Sequence, residues 1–102
     1  MLNPKDVPYF QAVHTEKEHL FARSDADLLA LPEYSEAERT VAGVQLSVGV
    51  FHHSHDDGFE VFVAQAKREI LFGYGHMFVE GFILRSDGSR AALPDQVFYE
   101  YA

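Results

Sequence analysis

The segment 51–60 holds three of the chain's six histidines and three carboxylates within ten residues. Imidazole nitrogens and carboxylate oxygens are common zinc ligands in proteins. If a two-residue hairpin turn lies at Asp57-Gly58, His53 and His55 share one strand face, about 6.5–7 Å apart along the strand. His55 then pairs with Glu60 across the turn. The segment therefore predicts a site for a divalent metal such as zinc, with its ligands drawn from His53, His55, Glu60 and Asp57.

The same segment has a second interpretation as the solvated tip of a hairpin. Polar tips carry histidines beside acids without binding anything, and short ligand patterns recur by chance. His52 points to the opposite strand face and is not part of the predicted metal site. The sequence leaves both interpretations open, and elemental analysis of the purified protein separates them.

Other motifs that carry chemistry fail on their spacing or surroundings. His14 and His19 are five residues apart, whereas a helical zinc motif needs histidines four apart. Residues 72–78 partly match an aromatic RNA-binding strand, but such a strand needs basic surroundings that this chain lacks. No Gly-x-Ser-x-Gly nucleophile turn is present. The sequence therefore contains no clear catalytic motif.

The charge balance is acidic, with 16 Asp and Glu against 8 Lys and Arg and a formal net charge of −8. Acids outnumber bases in both halves of the chain, so the negative field covers the whole surface. Such a field repels nucleic acids and anionic membranes and favours a basic protein partner. The absence of cysteine excludes disulfides, thiolate metal sites and cysteine nucleophiles.

No apolar run approaches the ~18 residues of a membrane span, and Met1 to Asp6 lacks the basic-then-apolar form of a signal peptide. We therefore expect a cytoplasmic protein that binds no membrane. The nine Phe and five Tyr exceed what the core of a 102-residue chain needs. Together with a predicted strand from Met77 to Arg85 that is apolar on both faces, this excess predicts a homodimer.

The clearest predicted element is a strand inside the uncharged run Thr40 to His55. Val44, Leu46, Val48 and Val50 fall on one face at period two, with polar residues or glycine between them. We expect this run to be a central or near-central strand of an antiparallel sheet. A tight turn should join it to the next element.

Later residues predict further strands joined by turns. Phe59 to Ala66 has the composition of a return strand, although a helix over 59–72 also fits the apolar spacing. Asp87-Gly88 marks a second hairpin. The segment Gly73 to Gly75 is predicted to be a turn or a bulge, and Gln65 to Glu69 is predicted to be a polar turn.

The two ends of the chain carry helical signals. Ser24-Asp25-Ala26-Asp27 has the form of a capping box, and Ser35 to Glu38 shows a similar helix start. Glu16 to Arg23 is amphipathic. After Pro94, residues 95–101 form either a terminal helical turn or an edge strand.

The sequence predicts one α+β domain over residues 1–102, with short N-terminal helices packed on an antiparallel β-meander of about four strands. The predicted function is a small acidic binding or regulatory domain, inhibitor- or immunity-like, that recognises a basic protein. The alternative is a metal- or small-ligand-binding protein, or an enzyme, with its site at the 51–60 hairpin. A third arrangement places an enzyme pocket between helices and sheet, with His14, His19 or His76 in it.

Overall fold

The computed structural model describes residues 3–102. Met1 and Leu2, which enter the signal-peptide expectation, lie outside the described residues. In chain order the elements are α1 Val7–Phe21, α2 Asp25–Leu29, β1 Tyr34–Val41, β2 Val44–Ser54, β3 Glu60–Leu71, β4 Tyr74–Leu84, β5 Arg90–Ala92 and α3 Asp95–Tyr101. The strands form one antiparallel meander in sequence order. The predicted α+β architecture is therefore confirmed, with five strands.

Strand β2 confirms the alternating pattern on which its prediction rests. Leu46, Val48 and Val50 are buried on the face that α1 covers. Val13 and Leu20 of α1 belong to the same two core clusters, and both side chains are almost fully buried. Burying such aliphatic side chains stabilises the fold by about 1.5–3 kcal/mol each, so this contact holds α1 on the sheet.

The uncharged run Thr40 to His55 is not a single strand, because a turn interrupts it. Ala42 and Gly43 have φ angles of 51° and 78° and connect β1 to β2. Strand β1 also shows that the helix start predicted at Ser35 to Glu38 was wrong, since these residues pair with β2. Pairing with a long uncharged strand outweighs the weak helical preference of the isolated segment.

The structure confirms a predicted helix cap and a predicted strand, and it corrects a predicted turn. The hydroxyl of Ser24 accepts a hydrogen bond from the N–H of Asp27 at 3.1 Å, which confirms the predicted helix cap. Residues 60–71 form a continuous strand, so the helical alternative for 59–72 is excluded. The turn predicted at Gln65 to Glu69 was wrong, because these residues pair with Gly75–Val79 of β4.

The β2–β3 turn is one residue longer than predicted. The N–H of His55 donates to the carbonyl of Phe59 at 2.8 Å, which leaves the three residues 56–58 in the loop. Gly58 has φ of 89°, as the last residue of a three-residue hairpin loop requires. Ser54 therefore pairs with Glu60, and the predicted pairing of His55 with Glu60 was wrong.

Helices cover the two faces of the sheet unequally. The first face packs against α1 and α2 along most of its length. On the second face, α3 covers only one end, where Val97 packs against Val61, Val63 and Ile83. The helical option for residues 95–101 is confirmed, as is the hairpin at Asp87-Gly88. No helix of the described residues covers the rest of the second face, over β1, β2 and β3.

Candidate functional site

The structure does not bring the four predicted metal ligands together. His53 lies beneath α3, where its Nδ1 is 2.5 Å from the hydroxyl of Tyr101. Glu60 lies on the opposite face and accepts a hydrogen bond from His52 Nε2 at 2.9 Å. His52, which the sequence interpretation set aside, is therefore the histidine that contacts Glu60.

The other two predicted ligands remain at the hairpin tip. His55 Nδ1 lies 3.6 Å from a carboxylate oxygen of Asp57, and its ring stacks on Phe59. Within residues 3–102, no group of three or more His, Asp or Glu side chains is arranged to hold a metal ion. Zinc binding at this hairpin stays a prediction that metal titration tests.

His52 joins three parts of the fold. Its Nδ1 lies 2.9 Å from the carbonyl of Leu31, its Nε2 contacts Glu60, and its ring stacks on Phe62 at 4.6 Å. Both partners are hydrogen-bond acceptors, so the ring donates to both only when it is protonated. A hydrogen bond from Ser54, followed by the contact with His52, holds the pKa of Glu60 below its ordinary value. This cluster is best explained as a structural connection.

The remaining histidines of interest are separated from one another. His14 Nδ1 contacts Glu80 at 3.1 Å. His14 and His19 line a hollow of about 460 Å³ between α1 and β1. His76 lies at the other end of α1, where its Nδ1 is 2.8 Å from Asp6. The hollow between α1 and β1 therefore has His14 and His19 in its lining, while His76 lies outside it. An enzymatic role for this hollow stays a prediction.

Asp6 is a buried carboxylate held by an arginine and a histidine side chain. Arg68 Nε lies 2.5 Å from one of its oxygens and His76 Nδ1 lies 2.8 Å from the other. Burial alone would raise the pKa of Asp6, but these hydrogen bonds and charges outweigh it and lower the pKa. The cluster fixes the beginning of α1 to β3 and β4.

Strands β2 and β3 pair over only part of their length. Their pairing extends from Ser54 and Glu60 at the turn to Gly49 and Gln65. Beyond that pair, residues 44–48 of β2 pair only with β1, and the end of β3 pairs only with β4. The two hairpins β1–β2 and β3–β4 therefore diverge and leave a cleft between them.

This inter-hairpin cleft has a volume of about 600 Å³. Its floor is apolar, because Tyr9 of α1, Leu46 of β2 and Ala66 of β3 contribute to its lining. Its walls are polar and include Glu36, Glu38, Gln45, Ser47, Lys67 and Glu69. The cleft between the two strands therefore combines polar walls with an apolar floor.

The walls of the cleft carry a local excess of negative charge. Glu36, Glu38 and Glu69 have no ion-pair partner within residues 3–102. Glu36 accepts a hydrogen bond from the Tyr34 hydroxyl at 2.6 Å, and this bond raises the pKa of Tyr34. The one wall cation, Lys67, donates to the carbonyl of Gly73 at 2.7 Å. The cleft therefore offers three carboxylates to a cation from outside the chain.

No protein-family model, curated protein or solved structure matches the chain. No helix within residues 3–102 is long and apolar enough to cross a membrane. The geometry and charge of the inter-hairpin cleft are therefore the basis for assigning a function.

Sequence reasoning found the acidic surplus but not the cleft. The signal available was the alternation in β2, where Gln45, Ser47 and Gly49 mark a face with no large apolar side chain. That pattern predicts a solvent-facing strand side. The pattern does not reveal where the pairing of β2 with β3 ends, because that depends on contacts between segments that are distant in sequence.

Proposed function

We propose that the chain is a protein-binding domain that captures a basic segment of another protein in the inter-hairpin cleft. The observation that carries this proposal is the set of three carboxylates, Glu36, Glu38 and Glu69, which line one cleft without an ion-pair partner in residues 3–102. Lysine or arginine side chains of a partner would neutralise them.

Comparison with the other acids of the sheet faces supports this choice of site. Glu16 is paired with Arg39 at 2.9 Å, and Glu80 is contacted by His14 and Lys17. The carboxylates beneath α1 are thus neutralised within the chain, whereas those of the cleft are not. The net charge of −8 adds a long-range attraction for a basic partner and repels other anionic surfaces.

The proposal is tested with a short basic peptide as the probe. We choose a seven-residue peptide of alternating lysine and valine with blocked ends, titrated into the full chain by calorimetry. Exposed ion pairs are worth about 0.2–1 kcal/mol each. The triple variant Glu36→Gln, Glu38→Gln, Glu69→Gln should therefore bind about tenfold more weakly than the wild type.

A second triple variant controls for the overall charge. Glu33→Gln, Asp56→Asn and Glu100→Gln remove three exposed carboxylates that do not line the cleft. This control changes the net charge by the same amount, so it should retain most of the affinity for the peptide. Equal losses in the two triple variants would show that only the global field attracts the peptide, and the cleft would not be the site.

A further inference from the structure

The inter-hairpin cleft exposes backbone hydrogen-bonding groups as well as carboxylates. In an antiparallel pair, every second residue directs its N–H and C=O towards the same neighbouring strand. The N–H of His55 bonds to Phe59, so odd-numbered residues of β2 direct their backbone groups towards β3. The N–H of His52 bonds to Glu33, so even-numbered residues direct theirs towards β1. Gln45 and Ser47 are odd-numbered residues of β2, so they direct their backbone groups into the cleft.

The same counting applies to β3 on the opposite wall. Gln65 bonds towards β2 at the last paired position. Two and four residues later, Lys67 and Glu69 direct their N–H and C=O groups towards β2, across the cleft. Neither the strand pairing nor the turn and loop hydrogen bonds of residues 3–102 supply partners for these four residues. Two open strand edges therefore face each other.

We infer that the basic partner enters this cleft as an extended strand, paired through its main chain with β2 on one side and β3 on the other. This inference rests on the proposed function and specifies its mode of recognition. Adding a strand to an open edge satisfies unpaired backbone groups, and alternate side chains of the added strand give specificity. Because β2 and β3 are antiparallel, the inserted strand runs parallel to one and antiparallel to the other.

The two surfaces of the cleft define the pattern of the inserted segment. Side chains on its open side meet Glu36, Glu38 and Glu69, so lysine or arginine belongs there. Side chains on the other side point towards Tyr9 and Leu46, so small or medium apolar residues belong there. Successive side chains of a strand alternate between faces. The partner segment therefore alternates basic and apolar residues over the length of the cleft.

Charge disfavours a second copy of this chain as the occupant. Strand β1 forms one edge of the sheet, and it carries Glu36 and Glu38 at alternate positions on one face. Inserted into the cleft of another copy, these side chains would lie beside the same carboxylates. Like charges facing each other across strands are destabilising, so a basic strand from a different protein fits better.

The experiment uses the full chain with the lysine–valine peptide and two N-methylated forms of it. One form is methylated on the lysine residues and the other on the valine residues. Backbone N–H groups of alternate residues point to opposite edges of a strand, so each form blocks the bonds to one wall of the cleft. We expect each methylated peptide to bind at least tenfold more weakly than the parent.

Amide hydrogen exchange gives a second measurement on the same complexes. On binding of the parent peptide, exchange should slow at least tenfold at Gln45, Ser47, Lys67 and Glu69. Leu46 and Arg68, which bond within their own hairpins, should change little. A peptide of the same composition with all lysines placed before the valines should bind more weakly than the alternating one.

The outcomes separate the inference from the proposed function. If both methylated peptides bind as tightly as the parent and no amide of the cleft gains protection, the peptide is held by charge alone. Strand insertion would then be overturned while the basic-partner proposal stands. If the parent peptide does not bind at low ionic strength, the proposed function fails as well. Association of the free chain that protects the same amides would instead identify a second copy as the occupant.

Discussion

Gly49 and Gln65 are the last residues that pair β2 with β3, and the sheet opens immediately beyond them. The position of this pair decides which backbone amides are protected in the free protein. The backbone amide of Leu46 bonds to β1, whereas that of Ser47 points into the cleft. Likewise, the backbone amide of Arg68 bonds to β4, whereas that of Lys67 points into the cleft.

We therefore predict an alternation of exchange rates along the two open strand edges of the unbound chain. Amides of Ser47 and Lys67 should exchange at least tenfold faster than those of Leu46 and Arg68, because local opening is not needed to expose them. Hydrogen exchange followed by NMR measures this directly. Equal protection of Ser47 and Leu46 would mean that β2 and β3 close on each other in solution.

The buried carboxylate of Asp6 should make stability fall in acid. Its pKa is lowered from the ordinary value of 3.8 by Arg68 and His76, against the opposing effect of burial. A group with a lowered pKa in the folded state stabilises the fold above its unfolded pKa, and the contribution is lost as pH falls through the folded pKa. The effect of Asp6 is therefore complete at neutral pH and disappears below about pH 4.

The variant Asp6→Asn isolates this contribution. At pH 7 it should unfold at a lower denaturant concentration than the wild type, because Arg68 loses a charged partner. The difference between the two proteins should shrink as the pH is lowered from 5 to 2. Asp56→Asn, at an exposed loop position, serves as the control and should track the wild type throughout. A difference that is constant over this pH range would assign the effect to packing.

The sequence predicted the elements whose signals are local. The alternation from Val44 to Val50 identified a strand, and Ser24 identified a helix cap. The helix start at Ser35 to Glu38 was wrong because a neighbouring strand outweighs short-range preference. The turn at Asp57-Gly58 is one residue longer than predicted, so the cross-strand partner of Glu60 is Ser54 and not His55.

The inter-hairpin cleft is not predictable from local sequence patterns, and the reason is physical. Whether two strands continue to pair or diverge depends on the residues that pack beneath them. Here Tyr9, the seventh described residue, lines the floor of the cleft together with Leu46 and Ala66. Such contacts join segments far apart in sequence, and periodicity within one segment does not encode them. The charge of the site was predicted, but not its location.

The tip of the β3–β4 hairpin carries a residue in a costly conformation. Phe72 has φ of 49° and its side chain is 89% exposed, with Gly73 following at φ of 81°. A bulky residue costs roughly 1–2 kcal/mol in the left-handed region, whereas Asn and Gly adopt it readily. We predict that Phe72→Asn raises the free energy of unfolding by about 1 kcal/mol.

Phe72→Ala is the matched control, because it removes the ring and keeps the Cβ atom. It should show no comparable gain in stability, as measured by chemical denaturation. The expected homodimer is a separate prediction, which rests on the aromatic excess and on the apolar strand Met77 to Arg85. Light scattering at tens of micromolar should give the mass of two chains for the wild type. A monomer mass for the wild type would contradict the dimer prediction.

Replacing His52, which is not part of the predicted metal site, should destabilise the protein more than replacing His55. The His52 side chain is 11% exposed, bridges Leu31 and Glu60, and packs on Phe62. Its removal ends the contacts with the Leu31 carbonyl and the Glu60 carboxylate, both in half-buried residues, and hydrogen bonds of this kind contribute about 0.5–1.5 kcal/mol each. His55→Ala removes a side chain from the hairpin tip, where substitutions change stability by about 0.5 kcal/mol or less.

Urea denaturation of His52→Ala, His55→Ala and the wild type at pH 6 measures both effects. We expect His52→Ala to lower the free energy of unfolding by about 2 kcal/mol, and His52→Gln to restore part of the loss by donating to one of the two acceptors.

The pKa of Glu60 is held below its ordinary value partly by His52. The stability that Glu60 contributes is therefore present above about pH 4.5 and declines as the pH falls further. His52→Ala should flatten this decline, and an equally steep acid response in wild type and variant would show that Ser54 alone sets the pKa of Glu60.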